Sequence, residues 1–284
     1  MKKFSLFLIV MLVFSVNAHA QDEWRLDSTY VEDDNQVRSA KYEYEYNADR
    51  ELIFETETDY TNGTVYKYVY SYNDDGIMVL LRVFVGDEVI EELEVTEFNA
   101  LGNPKVYTIK SADKGQPLSL YGKYVMSYTD DQMVQEVHLW NGSEYELYYV
   151  TTSEFNAEGQ LIKETIALPY GAMMIDYMTT IYEYDRHGEE TKATEVDYLG
   201  NEVTTFSENT YDDNGNLKKI RKTTEGKPAS NEFFFWSKFS STGINGIMAN
   251  KVITDWFDLN GRHLNGKPTK KGLYILNGQK IMVK

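Results

Sequence analysis

Aromatic residues alternate with polar ones along this chain of 284 residues: Tyr42, Tyr44 and Tyr46, then Tyr66, Tyr68, Tyr70 and Tyr72, then Tyr124, Met126 and Tyr128. A period of two places such residues on one face of a strand. No window carries a helical stripe, so the chain reads as all-β. Runs of this kind end in polar turns at Asn47-Ala48-Asp49-Arg50, Asn73-Asp74-Asp75-Gly76, Asn99-Ala100-Leu101-Gly102 and Thr129-Asp130-Asp131-Gln132. Asn156-Ala157-Glu158-Gly159, Asp185-Arg186-His187-Gly188 and Asp212-Asp213-Asn214-Gly215 continue the series. Successive fourth positions lie 26, 26, 30, 27, 29 and 27 residues apart. Seven copies at a period of about 27 are a repeat architecture.

The turns share one chemistry. Asn or Asp, as at Asn73 and Asp212, opens most of them because its side chain can bond the backbone two residues on. Gly76, Gly102, Gly159, Gly188 and Gly215 close them, where a positive φ is expected. Arg50 and Gln132 stand where glycine should be, so those two turns must carry strain or differ. A second turn falls midway between successive ones, for example at Asn62-Gly63, Asn141-Gly142 and Gly200-Asn201. The unit is therefore a β-hairpin, and seven hairpins give about fourteen strands in an antiparallel meander. At about 4.8 Å per strand, one flat sheet would run roughly 65 Å, and sheets of that size curl, split or close. The expectation is a curved or superhelical sheet with one aromatic-aliphatic face, a closed barrel being the alternative. A membrane barrel is disfavoured: the alternate positions read Tyr, Thr, Glu and Lys rather than a lipid-facing apolar band. The mature chain is not expected to insert into a membrane.

The ends differ from the repeats. Lys2 and Lys3, the apolar run Phe4 to Val16 and Ala18-His19-Ala20 form a secretory signal cleaved after Ala20. Its loss takes the net charge from −17 to −19, which sets nucleic acid and anionic membranes aside as partners. Cysteine is absent, which excludes disulfides, thiol catalysis and Cys-ligated zinc. Residues 21–239 form the repeat domain, closed by the apolar strand Phe233-Phe234-Phe235-Trp236. Residues 240–284 hold a linker and a small C-terminal β unit, with Asn277-Gly278 making a tight hairpin.

Two stretches resemble known families. Tyr211-Asp212-Asp213-Asn214-Gly215-Asn216-Leu217 and Tyr72-Asn73-Asp74-Asp75-Gly76 are similar to the tyrosine-aspartate (YD, or RHS-type) repeats of bacterial secreted and surface proteins. Residues 42–222 carry the likeness, with Phe98 and Phe155 replacing tyrosine and Thr129 replacing the acidic residue after Tyr128. The array is too short to imply that family's encapsulating role. The tail resembles the C-terminal sorting domain of type IX secretion cargo. Trp256-Phe257-Asp258 with Gly261 and Arg262, then Lys271-Gly272-Leu273-Tyr274, carry it. That resemblance implies the type IX machinery as a partner, passage through the periplasm, and release or anchoring at the cell surface. Asp27-Ser28-Thr29 resembles the short O-glycosylation acceptor of bacteria using that route.

Candidate chemistry is sparse. The 23 tyrosines fit strand packing, and some could be exposed rings that stack on a ligand. Tyr70, Tyr72, Trp140 and Tyr184 are the candidates. His138, His187 and His263 have no ligand spacing, so no metal or catalytic residue is assigned. The acidic turns at Asn73 and Asp212 offer oxygens that could hold calcium, without the spacing of a dedicated loop. No cofactor is expected. An exported, non-enzymatic module that binds glycan or a surface protein is the expected function. A purely structural or adhesive repeat protein is the alternative. An exported polysaccharide hydrolase would need a carboxylate pair in a groove.

Overall fold

The computed structural model describes residues 24–239 apart from 114 and 130, and beyond them the backbone of four short strands between 256 and 283. Sixteen strands follow one another: β1 (Trp24–Asp33), β2 (Arg38–Tyr46), β3 (Leu52–Asp59), β4 (Thr64–Tyr72), β5 (Met78–Val85), β6 (Glu88–Phe98), β7 (Pro104–Ser111) and β8 (Ser119–Tyr128). Then come β9 (Gln132–Trp140), β10 (Tyr145–Phe155), β11 (Leu161–Tyr170), β12 (Met173–Tyr184), β13 (Glu190–Asp197), β14 (Glu202–Tyr211), β15 (Leu217–Thr224) and β16 (Ser230–Lys238). Every strand pairs antiparallel with its successor, and β1 lies beside β16, so the sheet is a closed barrel.

This corrects the open, curved or superhelical sheet. The extra strands β1 and β16 lie outside the seven hairpins, and each presents side chains that fit the other. Tyr30 stacks on Phe233 at 4.7 Å and on Phe235 at 5.7 Å, while the Arg38 guanidinium lies over Tyr30 at 4.3 Å. Ser237 donates to Asp27 at 2.9 Å and receives the Arg25 Nε at 3.1 Å. Joining these strands removes the two unpaired edges that an open meander would expose.

An antiparallel meander sends alternate turns to opposite ends. All seven repeat turns therefore stand at one rim, where β1 also begins and β16 ends, and the midway turns stand at the other. At the first rim the expected turn chemistry is realised. Asn73 Oδ1 accepts from the Asp75 and Ile77 amides, and Asp212 Oδ1 from those of Asn214 and Asn216. Gly76 has φ 75°. The two exceptions part ways: Arg50 keeps the turn and holds φ 69°, whereas Thr129 bonds Gln132 directly in a shorter turn.

Register sorts the side chains. The ladder that pairs Tyr70 with Leu81 and Leu81 with Leu93 continues through Ile109 opposite Leu93. Tyr124 stands opposite Tyr107, and Val137 opposite Tyr124. These residues share the buried face, which in a closed barrel is the inside. Intervening positions face outward.

Residues 238–284 form a separate unit. Within it β17 (Trp256–Phe257), β18 (His263–Leu264), β19 (Gly272–Leu276) and β20 (Gln279–Val283) pair in the order β18-β17-β19-β20. Leu276 pairs with Gln279, as the expected hairpin requires. Gly272 and Tyr274 lie on β19, while Asp258, Gly261, Arg262 and Lys271 are outside the described residues, as is the signal segment.

Candidate functional site

The inside of the barrel carries tyrosine and glutamate rather than aliphatics alone. Glu55 and Glu57, on one face of β3, lie opposite Tyr44 and Tyr42 on one side and Tyr68 and Tyr66 on the other. The Tyr70 hydroxyl donates to Glu55 at 2.9 Å and that of Tyr68 to Glu57 at 2.7 Å. Burial pushes the Glu55 carboxyl up to about 7, against the pull of the Tyr70 hydroxyl. Burial alone raises Glu91 to about 7, and it raises Glu164 and Glu232 as well. Glu55 and Glu57 are thus neighbouring carboxyls on one face, and Glu55 is only 2% exposed.

Tyrosines next to the repeat turns have a second task. Most stand where the ladder slips by one residue, as between Ser71 and Tyr72 or Glu183 and Tyr184, whereas Tyr128 pairs with Met133 in unbroken register. The ring points inward and the hydroxyl reaches a backbone carbonyl of the preceding hairpin. Tyr46 donates to Leu26, Tyr72 to Leu52, Tyr128 to Pro104 and Tyr184 to Leu161, at 2.6–3.1 Å. Trp236 closes the series through its indole N–H to Leu217 at 2.6 Å. Tyr211 instead donates to the Asp185 carboxylate, and Phe98 and Phe155 have no hydroxyl to give.

Three of the four proposed stacking rings, Tyr70, Tyr72 and Tyr184, therefore face the interior with their hydroxyls engaged. Trp140 ends β9 and packs edge-on against Tyr145 at 5.0 Å, and Lys123 lies over the Tyr145 ring at 4.6 Å. His138 lies 3.0 Å from Glu136, and His187 stacks on Tyr211. Side-chain oxygens at the acidic turns hold backbone amides, and among the described residues no three acidic or histidine side chains converge as ligands. Thr29, the hydroxyl of the proposed glycosylation triplet, is buried in β1.

The outer wall carries ion pairs among exposed apolar residues such as Val65, Ile181 and Phe206. Glu92 bonds both Arg82 at 2.8 Å and Lys110 at 2.7 Å, across three strands. Lys163 pairs with Glu154, Lys192 with Glu183, and Lys41 with Glu43. Arg82, Lys67 and Lys123 stand at mid-strand.

One stretch at the second rim is without charge altogether. Pairing of β10 with β11 stops at Val150–Ala167, and that of β12 with β13 stops at Met178–Asp197. Residues 168–177 run on beyond both as a two-stranded arm, internally paired from Ala167–Asp176 to Tyr170–Met173. Residues 165–175 contain no charge, in a chain that is 26% charged. Tyr170 and Met173 are 70% and 66% exposed, and Met174, Ile175 and Tyr177 are exposed too. A bulge at Tyr177 lets its ring stack on Tyr198 at 5.8 Å, beside exposed Leu199 on the β13–β14 turn. Sequence reasoning missed this surface, although the charge-free stretch was its signal.

No protein-family model matches the chain, and no curated protein sequence does. Among solved structures it is similar to a porin-like protein from Bacteroides vulgatus at 10% identity, over 75% of this chain and 98% of that one, with a TM-score of 0.48. A porin-like protein from Bacteroides uniformis gives 10% identity, 75% and 96% coverage and a TM-score of 0.45. A chain of the TcdB2-TccC3 crystal structure is 15% identical over 71% of this chain and 13% of that one, with a TM-score of 0.25. Likenesses of this strength carry no functional argument, which rests on the chain's own geometry.

Proposed function

We propose that this chain is an exported, non-enzymatic binding module, a water-facing barrel at the cell surface that takes a protein or glycan partner at its rim. It neither spans lipid nor conducts. The observation that carries this reading is the charge that the wall holds at mid-strand. A lysine or arginine facing the bilayer midplane costs about 2–4 kcal/mol, and this wall sets Arg82, Lys67 and Lys123 at mid-strand. The inside supports the same reading, because buried Leu81, Ile109, Tyr124 and Val137 stand where a pore would hold water. Sealing of Glu55 argues against hydrolysis, which needs its acid within reach of substrate. The uncharged arm supplies an exposed apolar patch of the kind that marks interaction sites. The tail's likeness to type IX sorting domains supports export by that route.

The test is to purify residues 21–284 without detergent and add them to planar bilayers. The reading requires a soluble chain and no conductance; a detergent requirement with stepwise channel currents would overturn it. A glycan array run in calcium and in EDTA then separates the partner classes.

A further inference from the structure

We propose that the arm at residues 168–177 is a self-association device that joins two copies of this chain by continuing the β-sheet through the free edge of β12. The proposal rests on the water-facing reading above and specifies the partner of its exposed rim.

Pairing sets which edge is available. Strand β12 is bonded to β11 along the whole arm, yet its ladder with β13 begins only at Met178, so Met173 to Asp176 present an unpartnered edge. The opposite edge of the arm belongs to β11 and contains Pro169, which has no N–H to give a neighbouring strand. Addition is thereby directed to β12. Exposed strand edges are templates for pairing, and natural proteins protect them with charge, bulges or covering segments. Here the edge is uncharged from Met173 to Ile175, and Asp176 is the only ionisable carboxyl on the arm.

Self-pairing suits this edge. Antiparallel pairing about a two-fold axis at Ile175 sets Met174 of one copy opposite Asp176 of the other, so like charges do not meet. An isologous contact requires one self-complementary patch. Leu168, Tyr170, Met173 and Ile175 share one face of the arm by register and would form one continuous apolar surface across the axis. Because the β12 edge of the arm runs on past the end of β13, two copies can join there while their acidic bodies, at a formal −17 each for the full chain, stay apart. A lipid surface fits less well, since the free N–H and C=O groups of Met173 to Asp176 would go unpaired in hydrocarbon.

The test is sedimentation velocity of the soluble chain from residue 21, from low to high micromolar concentration, alone and with phosphatidylcholine vesicles. A concentration-dependent dimer is expected. Ile175→Lys and Met173→Lys, each on the exposed arm, should weaken association more than about tenfold with an unchanged melting temperature. Tyr60→Ser, at another exposed turn of the same rim, should leave association intact. A wild-type monomer throughout the range would overturn the proposal, as would a dimer indifferent to both lysines. Vesicle binding by a monomer would overturn it in favour of lipid. Failure of the water-facing reading would be seen separately, as a chain that needs detergent.

Discussion

The Tyr72 hydroxyl donates to the backbone carbonyl of Leu52 at 2.8 Å, and Leu52 is the residue paired with Tyr46, the ring of the preceding hairpin. The same relationship joins Tyr128 to Pro104, paired with Phe98, and Tyr184 to Leu161, paired with Phe155. These three hairpins thus tie the slipped ends of their predecessors, a physical reason for a tyrosine before their turns. Tyr72→Phe and Tyr184→Phe should each cost about 0.5–1.5 kcal/mol, and the double variant about the sum, because the sites are remote. Urea unfolding reads this directly.

Backbone strain at the repeat turns predicts opposite signs at two equivalent positions. Arg50 holds φ 69° without being glycine, so Arg50→Gly should stabilise by about 0.5–1 kcal/mol. Gly76→Ala should destabilise by about 1 kcal/mol at φ 75°, where the new Cβ would also meet Glu51 at 3.3 Å. In β8, a Cβ on Gly122 would stand 2.6 Å from the His138 carbonyl oxygen. That neighbour is backbone and cannot swing away, so Gly122→Ala should be the most damaging of the three. Thermal melts of the set give the order.

Stability should fall as pH rises from about 4.5 to about 7. Glu55 titrates near 7 when folded against 4.5 in the unfolded chain, so the folded state holds the extra proton in that window. Glu91 acts in the same direction. Glu55→Gln keeps an acceptor for the Tyr70 hydroxyl while removing the charge. It should flatten part of the slope and stabilise by roughly 1–3 kcal/mol above pH 7. Chemical denaturation across that range checks it.

Closure is testable because the chain has no cysteine of its own. With Asp27→Cys and Ser237→Cys, at positions whose side chains touch across the β1–β16 seam, oxidation should give an intramolecular disulfide in the native chain. An open sheet would hold the two thiols apart.

Export is tested by deletion. Removing residues 243–284 should leave the chain in the periplasm if the tail is the sorting signal. Unchanged surface display of the truncated chain would remove that role.

Much of the hairpin architecture was legible because its causes are local. Alternating tyrosines, an Asx residue opening each turn and glycine closing most of them act within a few residues of one another. The divergent turns at Arg50 and Gln132 were legible for the same reason. Closure was not, since Tyr30 and Asp27 meet Phe233 and Ser237 some two hundred residues away, and the repeat period is the same in an open sheet and a barrel. The direction of Tyr70, Tyr72 and Tyr184 also escaped. A period of two marks a face without saying which face is buried, and only the charged partners Arg82, Glu92 and Lys110 settle it. The arm was missed because Met173, Met174 and Ile175 read as ordinary strand core until register shows that β13 does not reach them.

The most direct measurement is nitroxide accessibility at single cysteine labels, placed one at a time at Lys163 on the wall and Val137 inside, with lipid vesicles present. A water-facing barrel predicts a label at residue 163 that collides freely with a water-soluble paramagnetic reagent, and a label at residue 137 shielded from it. A label at residue 163 reached by oxygen but not by the water-soluble reagent would place the wall in lipid and contradict the assignment.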